Sequence, residues 1–326
     1  MNFGVPYVGS KNVIAESLVS QFPRAEYFVD LFAGGCAMTH AAFLSGKFKK
    51  FICNDLDFRG VELFKQAVSG KFKNENRWIS RDDFYKLKDS DLYVRFCCSF
   101  GNNQKDYLYS KQKERQKRAL HYAILFDDWV EFYELFPNIY DEVAKEILFV
   151  KDVEKRYSII RHCFASQKMQ RLQRLQSLER LQRLQSLESL ESFQMLQSIE
   201  TSKLDYRKVA IPYDSVVYAD PPYKGRKSYS VKFDSDLFFD WCRNQSFPIY
   251  ISEYDAPKDF KAVFEINKIN SLCATKNFTN KEKIFLHERW KGGGGSGSKT
   301  AAASTGMVRV RPLSSRADLL ATLRMP

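Results

Sequence analysis

The feature that most constrains the fold is the run "VVYADPPY", Val216 to Tyr223. Its apolar residues read as a buried strand, and two successive prolines, which have no backbone N–H to donate, oblige that strand to stop. Asp220, Pro221, Pro222 and Tyr223 are thereby placed in a stiff loop at the carboxyl end of a strand. Open α/β sheets bind ligands at that position, although Asp and Pro also serve in ordinary turns. A second such strand end lies at "AEYFVDLFAGG", where Asp30 leads into Phe32, Gly34 and Gly35. A helix-like "AMTHAAFL" and a strand-like "FKKFICNDLD" complete a βαβ unit.

The strand and helix alternation stops near residue 75. Aromatic, charged and mostly helical sequence fills residues 76–200, and the βα pattern resumes over 201–291 with "VVYADPPY", "DLFFDWCRN" and "FPIYISEYD". The hairpin-like pair "AVFEINKINSLCA" and "KEKIFLHERW" would close the sheet. The expected fold is α/β, a doubly wound sheet interrupted by a large helical insertion. From Gly292 onward, "GGGGSGSKTAAASTG" reads as a flexible linker, so residues 292–326 are expected to be a disordered tail. The net charge of the chain is +12, and the tail carries five Lys or Arg against one Asp, leaving 46 basic and 38 acidic residues elsewhere, or +8. A moderately basic body suits a polyanionic partner. There is no 18-residue apolar span and no signal peptide, and the seven cysteines are scattered without metal-ligand spacing. These features point to a cytoplasmic protein with reduced core thiols and no metal site.

The strand ends carry the chemistry. Asp30 followed by Gly34 and Gly35 permits a tight turn against an adenosine-containing cofactor. The dinucleotide fingerprint fails after Gly35 and no P-loop lysine follows, which favours a cofactor without phosphates. Asp55 stands where an acid can accept two ribose hydroxyls, or alternatively cap a helix. In "PYVGSKN", Tyr7, Gly9, Ser10 and Lys11 bring a ring to cover part of a cofactor and a cation to pair with a carboxylate, unless the segment is a surface turn. In the insertion, "GNNQKDYLYSKQKERQKR" interleaves Asn102, Asn103, Gln104 and tyrosines, Tyr107 among them, with Lys105, Lys111, Lys113, Arg115, Lys117 and Arg118. Amides can read adenine edges and cations can hold phosphates; the alternative is a solvated helix face.

The ordered set "PYVGSK", "DLFAGG", "NDLD", long insertion, "DPPY", "ISEYD" and "KEKIF", over residues 3–290, resembles the Dam-type adenine-N6 DNA methyltransferases that use S-adenosylmethionine. The resemblance implies a methyltransferase-type sheet with a target-recognition insertion, methyl transfer to adenine N6 and double-stranded DNA as partner. It implies that Tyr7, Gly9, Ser10, Lys11, Asp30, Phe32, Gly34, Gly35 and Asp55 bind the cofactor. Asp205, in "LDYRKV", resembles the strand end beside the cofactor's adenine. By analogy, the Asp220 carboxylate and the Pro221 carbonyl accept the two N–H bonds of the target amino group, and Tyr223 stacks on the flipped base. "SFGNNQKDYLY" resembles the start of the DNA-contacting region, so Asn102, Asn103, Lys105, Tyr107, Lys111 and Arg115 are expected at the DNA. One departure is Cys36, where the family commonly has glycine; if φ is positive there, the cysteine costs on the order of 1 kcal/mol. A monomer encoded by a bacterium or phage, with or without a companion restriction enzyme, completes the expectation. A methyltransferase for RNA or protein, and a silent DNA-binding or assembly protein, are the alternatives.

Within the insertion, "RLQRLQSLE" occurs twice in succession, Arg171–Glu179 and Arg180–Glu188, and apolar residues recur at every third position from Leu172 to Ile199. On an α-helix such residues wind around the cylinder and form no single stripe, which argues against a heptad coiled coil over 170–200.

Overall fold

The computed structural model describes residues 3–147, 150–166, 176–186, 192–222, 233–269 and 279–290. The expected linker and tail from Gly292 onward and Tyr223 lie outside the described residues. Residues Met1–Lys291 cluster as one compact unit. It is built on β1 (Tyr27–Asp30), β2 (Lys50–Asn54), β3 (Ile199–Ser202), β4 (Ser215–Ala219), β5 (Ile249–Glu253), β6 (Phe260–Ile269) and β7 (Thr279–His287). These form one sheet in the order β3-β2-β1-β4-β5-β7-β6, with β1 to β5 parallel and β7 antiparallel to both of its neighbours. This is the methyltransferase-type sheet.

The helices are α1 (Ala15–Gln21), α2 (Ala37–Leu44), α3 (Arg59–Val68), α4 (Arg81–Leu87), α5 (Leu92–Cys97), α6 (Lys111–Phe126), α7 (Val130–Leu135), α8 (Pro137–Ile147), α9 (Val153–Ser166), α10 (Gln176–Ser186), α11 (Ser192–Ser198) and α12 (Ser235–Arg243). The two-residue period of the central strands sends Phe28, Val216 and Tyr218 to the face that α1 and α2 cover, and Val29, Val217 and Ala219 to the face that α12 covers. Burial on both faces explains why these strands read as continuous apolar runs.

Sheet order reverses between β1 and β4: the chain steps outward from β1 to β2 and β3 on one side, and from β4 to β5 on the other. Asp30 lies opposite Tyr218 in the register, so the two carboxyl ends stop side by side. Such a reversal leaves a crevice beyond the strand ends.

The segment between β2 and β3 is helical, as expected, but it has two cores. Phe84, Phe96, Cys97 and Tyr107 join Val61 and Phe64 of α3 in a core that also reaches Cys53 of the sheet. Helices α6 to α9 enclose a separate core around Phe132, Phe136, Val143 and Phe164. The segment "LDYRKV", likened to the strand beside the cofactor's adenine, is not itself a strand: it forms a 3-10 turn, and the strand is β3 just before it, which is short and only partly buried and so leaves no apolar signature.

The triplet repeat falls partly within the described residues, and there it is α-helical as far as Ser198, with its last apolar residue, Ile199, opening β3. Leu178 is buried in the α6–α9 core and Leu184 in the core beneath α3 and α5. Six residues apart, the two leucines point roughly 120° away from each other on a helix. The period that precludes a single stripe therefore gives α10 two apolar faces, one for each core.

Candidate active site

A cleft of about 1140 Å³ opens at the carboxyl ends of the parallel strands. Tyr7, Gly9, Ser10, Lys11, Asp30, Phe32, Gly34, Gly35, Asp55 and Asp205 all line it, together with Asp220 and Pro222. Residues from five separate segments of the sequence thus meet in one place. Pro221 is buried.

Lys11 is where the local geometry departs most from expectation. The sequence offers its ammonium to a ligand carboxylate, yet it is buried and lies 2.8 Å from Asp220 Oδ1 and 2.7 Å from Oδ2. It is also 3.2 Å from Glu282 Oε1, which in turn accepts the Ser252 hydroxyl at 2.7 Å. Burial disfavours the charged ammonium, but the Asp220 and Glu282 carboxylates outweigh that effect and hold the Lys11 pKa above its ordinary value. Glu282 and Glu253 sit within "KEKIF" and "ISEYD", but neither stood out as a site residue, because their burial depends on β5 pairing with β7. Glu253 is pushed up to about 7 by burial, opposed by the Tyr254 N–H and reinforced by Asp220.

Asp30 closes β1 with one oxygen committed. Its Oδ2 accepts the Thr39 hydroxyl at 2.9 Å, while Oδ1 is buried and has no partner among the described residues. Burial raises its pKa to about 7, against the Thr39 hydrogen bond and with help from the charges of Asp220 and Asp55. Asp55 accepts the Gly34 N–H and the Asp57 N–H, each at 2.8 Å, and burial raises it to about 6. It does not cap α3, whose N-cap position is Phe58, so the capping alternative is not realised.

The glycine turn serves the protein's own packing. Gly34 has φ +51, and a Cβ there would meet the Tyr7 ring at 2.9 Å; a Cβ on Gly35 would meet Val5 O at 2.7 Å. The small residues make room for the Tyr7 segment, whose ring also stacks on Phe96 at 5.9 Å. Cys36 adopts φ 58 and ψ 29, so the position that departs from the family pattern does require the left-handed region. Its Sγ lies 3.3 Å from that of Cys53, both buried.

Across the cleft, Asp205 caps the short 3-10 turn Tyr206–Lys208 through the Arg207 N–H and pairs with the Arg207 side chain at 2.7 Å. That hydrogen bond holds its carboxyl below the usual range. Tyr206 packs on Phe32 at 5.4 Å between ring centroids, with Phe233 and Phe238 behind, giving the cleft an aromatic wall. In sequence Tyr206 carries no signal of this role, because its ring partners Phe32, Phe233 and Phe238 are distant in the chain. Asn54 carries none either: its Nδ2 donates to Leu31 O and Leu204 O, and its Oδ1 accepts from Ser202 Oγ and Leu204 N. It ties together the ends of the strands that form the cleft floor.

The residues expected at DNA separate into groups. The turn after α5 brings Asn103, Gln104 and Lys105 to the cleft rim. Asn103 is used inside the turn: its Oδ1 accepts from Lys105 N and Asp106 N, and its Nδ2 donates to Asp106 Oδ2 at 2.7 Å. Asn102 donates to Tyr7 O at 3.5 Å and its Oδ1 is buried. Gln104 retains a carboxamide with no partner among the described residues. Tyr107 is not on this rim; it is buried and its hydroxyl donates to Ile79 O at 2.6 Å, so it belongs to the core. Arg115 is held by Glu131 at 2.9 Å and Glu134 at 2.8 Å, whereas Lys111 is exposed.

Among the described residues no helix is long and apolar enough to cross a membrane. Comparison with curated proteins finds no match. The family model described as D12 class N6 adenine-specific DNA methyltransferase matches residues 7–240, spanning the glycine turn, the insertion and the Asp-Pro-Pro segment and ending within α12. The chain therefore belongs to the D12 class of N6 adenine-specific DNA methyltransferases, enzymes that methylate adenine in DNA.

Proposed function

We propose that the cleft holds S-adenosylmethionine beside a flipped adenine, and that Asp220 and the Pro221 carbonyl orient the adenine amino group. The observation that carries this reading is the Asp220 carboxylate, gripped on both oxygens by buried Lys11 and facing the cleft that Asp30 and Asp55 share. The residues present fit the cofactor. Asp30 Oδ1, buried and unpartnered, suits a cationic amino group, because a buried anion needs a counter-charge. Asp55 can accept ribose hydroxyls, the wall of Phe32 and Tyr206 suits an aromatic base, and Tyr7, Gly9 and Ser10 border the methionyl end. When bound, S-adenosylmethionine supplies an electrophilic methyl group.

The adenine amino nitrogen is a poor nucleophile because its lone pair is delocalised into the ring. Two fixed acceptors can draw its N–H bonds out of the ring plane and free that lone pair. The prolines fix one acceptor, the Pro221 carbonyl, in advance. Lys11 fixes the other by holding Asp220 in one orientation and keeping it ionised among neighbouring acids. Tyr223 stacks on the extruded base in this reading.

Recognition belongs to the insertion, residues 76–200. Gln104 carries the free carboxamide at the rim and reads a base edge, while Lys105 and Lys111 hold phosphates. Asn102 and Asn103 shape the turn instead. The chain is read as a monomer working on double-stranded DNA. Buried free thiols among the described residues favour a reducing, cytoplasmic setting in a bacterium or phage-infected cell, with or without a companion restriction enzyme.

The test is Asp220→Ala in single-turnover methyl transfer, alongside calorimetry with S-adenosylmethionine. Transfer should fall by about 3 kcal/mol or more of transition-state stabilisation, with the cofactor still bound. A folded variant with near wild-type turnover would remove Asp220 from the mechanism.

A further inference from the structure

We infer that Arg180, the first residue of the second nine-residue copy, is a positioning residue that sets the base-reading turn and thereby the choice of DNA site. The inference rests on the reading that this turn, through Gln104, contacts bases. Arg180 Nη1 donates to Cys97 O at 2.8 Å and to Ser99 O at 2.9 Å. These carbonyls lie at the end of α5 and at the entry to the turn. The last carbonyls of a helix lack intrahelical partners, and a guanidinium there satisfies them and complements the helix dipole.

The turn needs such an anchor. Gly101, Asn102 and Gln104 have φ 56, 64 and 62. Two of these are not glycine, and left-handed backbone at such residues persists only where the surroundings over-determine it. The turn is closed across its base by Phe100 N to Asp106 O and Leu108 N to Cys98 O, at 2.8 and 2.9 Å. Arg180 grips the same base from outside, on the two residues flanking Cys98.

The helix that delivers Arg180 is itself fixed at two points. On α10, Arg180 and Leu184 fall within roughly 40° of each other, whereas Leu178 lies well round the cylinder. Leu184 is buried in the core under α3 and α5, Leu178 in the α6–α9 core, and Glu179 accepts the Tyr157 hydroxyl of α9 at 2.8 Å. The three-residue period thus lets one helix bridge two cores while presenting its arginine to the turn.

The experiment compares the chain with Arg180→Ala, Arg180→Lys and Gln104→Ala. Each is incubated with a random-sequence DNA duplex library, and methylated positions are read to give the ratio of preferred to one-mismatch sites. Hydrogen exchange at the Phe100 and Leu108 amides and S-adenosylmethionine affinity are measured on the same preparations. Arg180→Ala should lower the site ratio by about tenfold, within the range of one lost base contact. It should also speed exchange at both amides and leave cofactor affinity unchanged. Arg180→Lys, with an ammonium in place of the fork, should fall between. If Gln104→Ala loses discrimination and the arginine variants do not, Arg180 is structural only and the inference is overturned; Arg180→Lys decides should Arg180→Ala fail to fold. If Gln104→Ala leaves the ratio unchanged, the turn does not read bases, and both readings fall.

Discussion

Replacing Lys11 with methionine isolates the charge at the centre of the site. The side chains of Lys11, Asp220 and Glu282 are 3%, 20% and 2% exposed, so water screens this cluster poorly. Methionine preserves most of the aliphatic stem and removes the ammonium, leaving two carboxylates that had shared it. Breaking a buried pair by removing one partner typically costs about 3–5 kcal/mol, and Glu253 and Asp30 add like charge nearby. The cost should depend on pH with a definite sign. Without Lys11, Asp220 or Glu282 has a folded-state pKa above its unfolded value, so the folded state takes up a proton as pH falls and the penalty is relieved. The stability gap between wild type and Lys11→Met should therefore be largest near pH 8 and narrow toward pH 5. Urea denaturation at several pH values measures it. A gap below about 1 kcal/mol, the value of an exposed pair, or one that does not change with pH, would refute the reasoning.

Asp30, raised to about 7, must ionise before it can meet a cation, so S-adenosylmethionine affinity should increase between about pH 6 and 8. Asp30→Asn should flatten that profile in calorimetry. Lys105→Ala should lower the slope of log DNA affinity against log salt by about 0.9, as for one lost phosphate contact. Arg115→Ala, whose guanidinium is already held by Glu131 and Glu134, should leave the slope unchanged.

The signals that survived translation into three dimensions were local ones. Asp30 before two glycines and Asp220 before two prolines marked strand ends because the backbone rules for those residues act over a few positions. Cys36 was legible in the same way, as a side chain at a position whose φ is 58. What pairs across the chain was not legible. Lys11 finds Glu282 only because β7 inserts beside β5, and the free amide is Gln104 because Asn103 is spent within its own turn. Tyr107 sits in sequence just after the exposed Lys105 and Asp106, yet it is buried and its partner, Ile79 O, lies well before it in the chain. The three-residue period argues against a single stripe, but the two cores that receive Leu178 and Leu184 of α10 are visible only in the fold.

The central claim is that this cleft transfers methyl groups to the amino nitrogen of adenine in duplex DNA through Asp220. The most direct measurement is incubation of the chain and its Asp220→Ala variant with methyl-labelled S-adenosylmethionine and unmethylated duplex, followed by digestion to nucleosides and chromatography. The account predicts label in N6-methyldeoxyadenosine with the wild-type chain and none above background with the variant. Label in a cytosine nucleoside, or equal label in N6-methyldeoxyadenosine from both proteins, would contradict it.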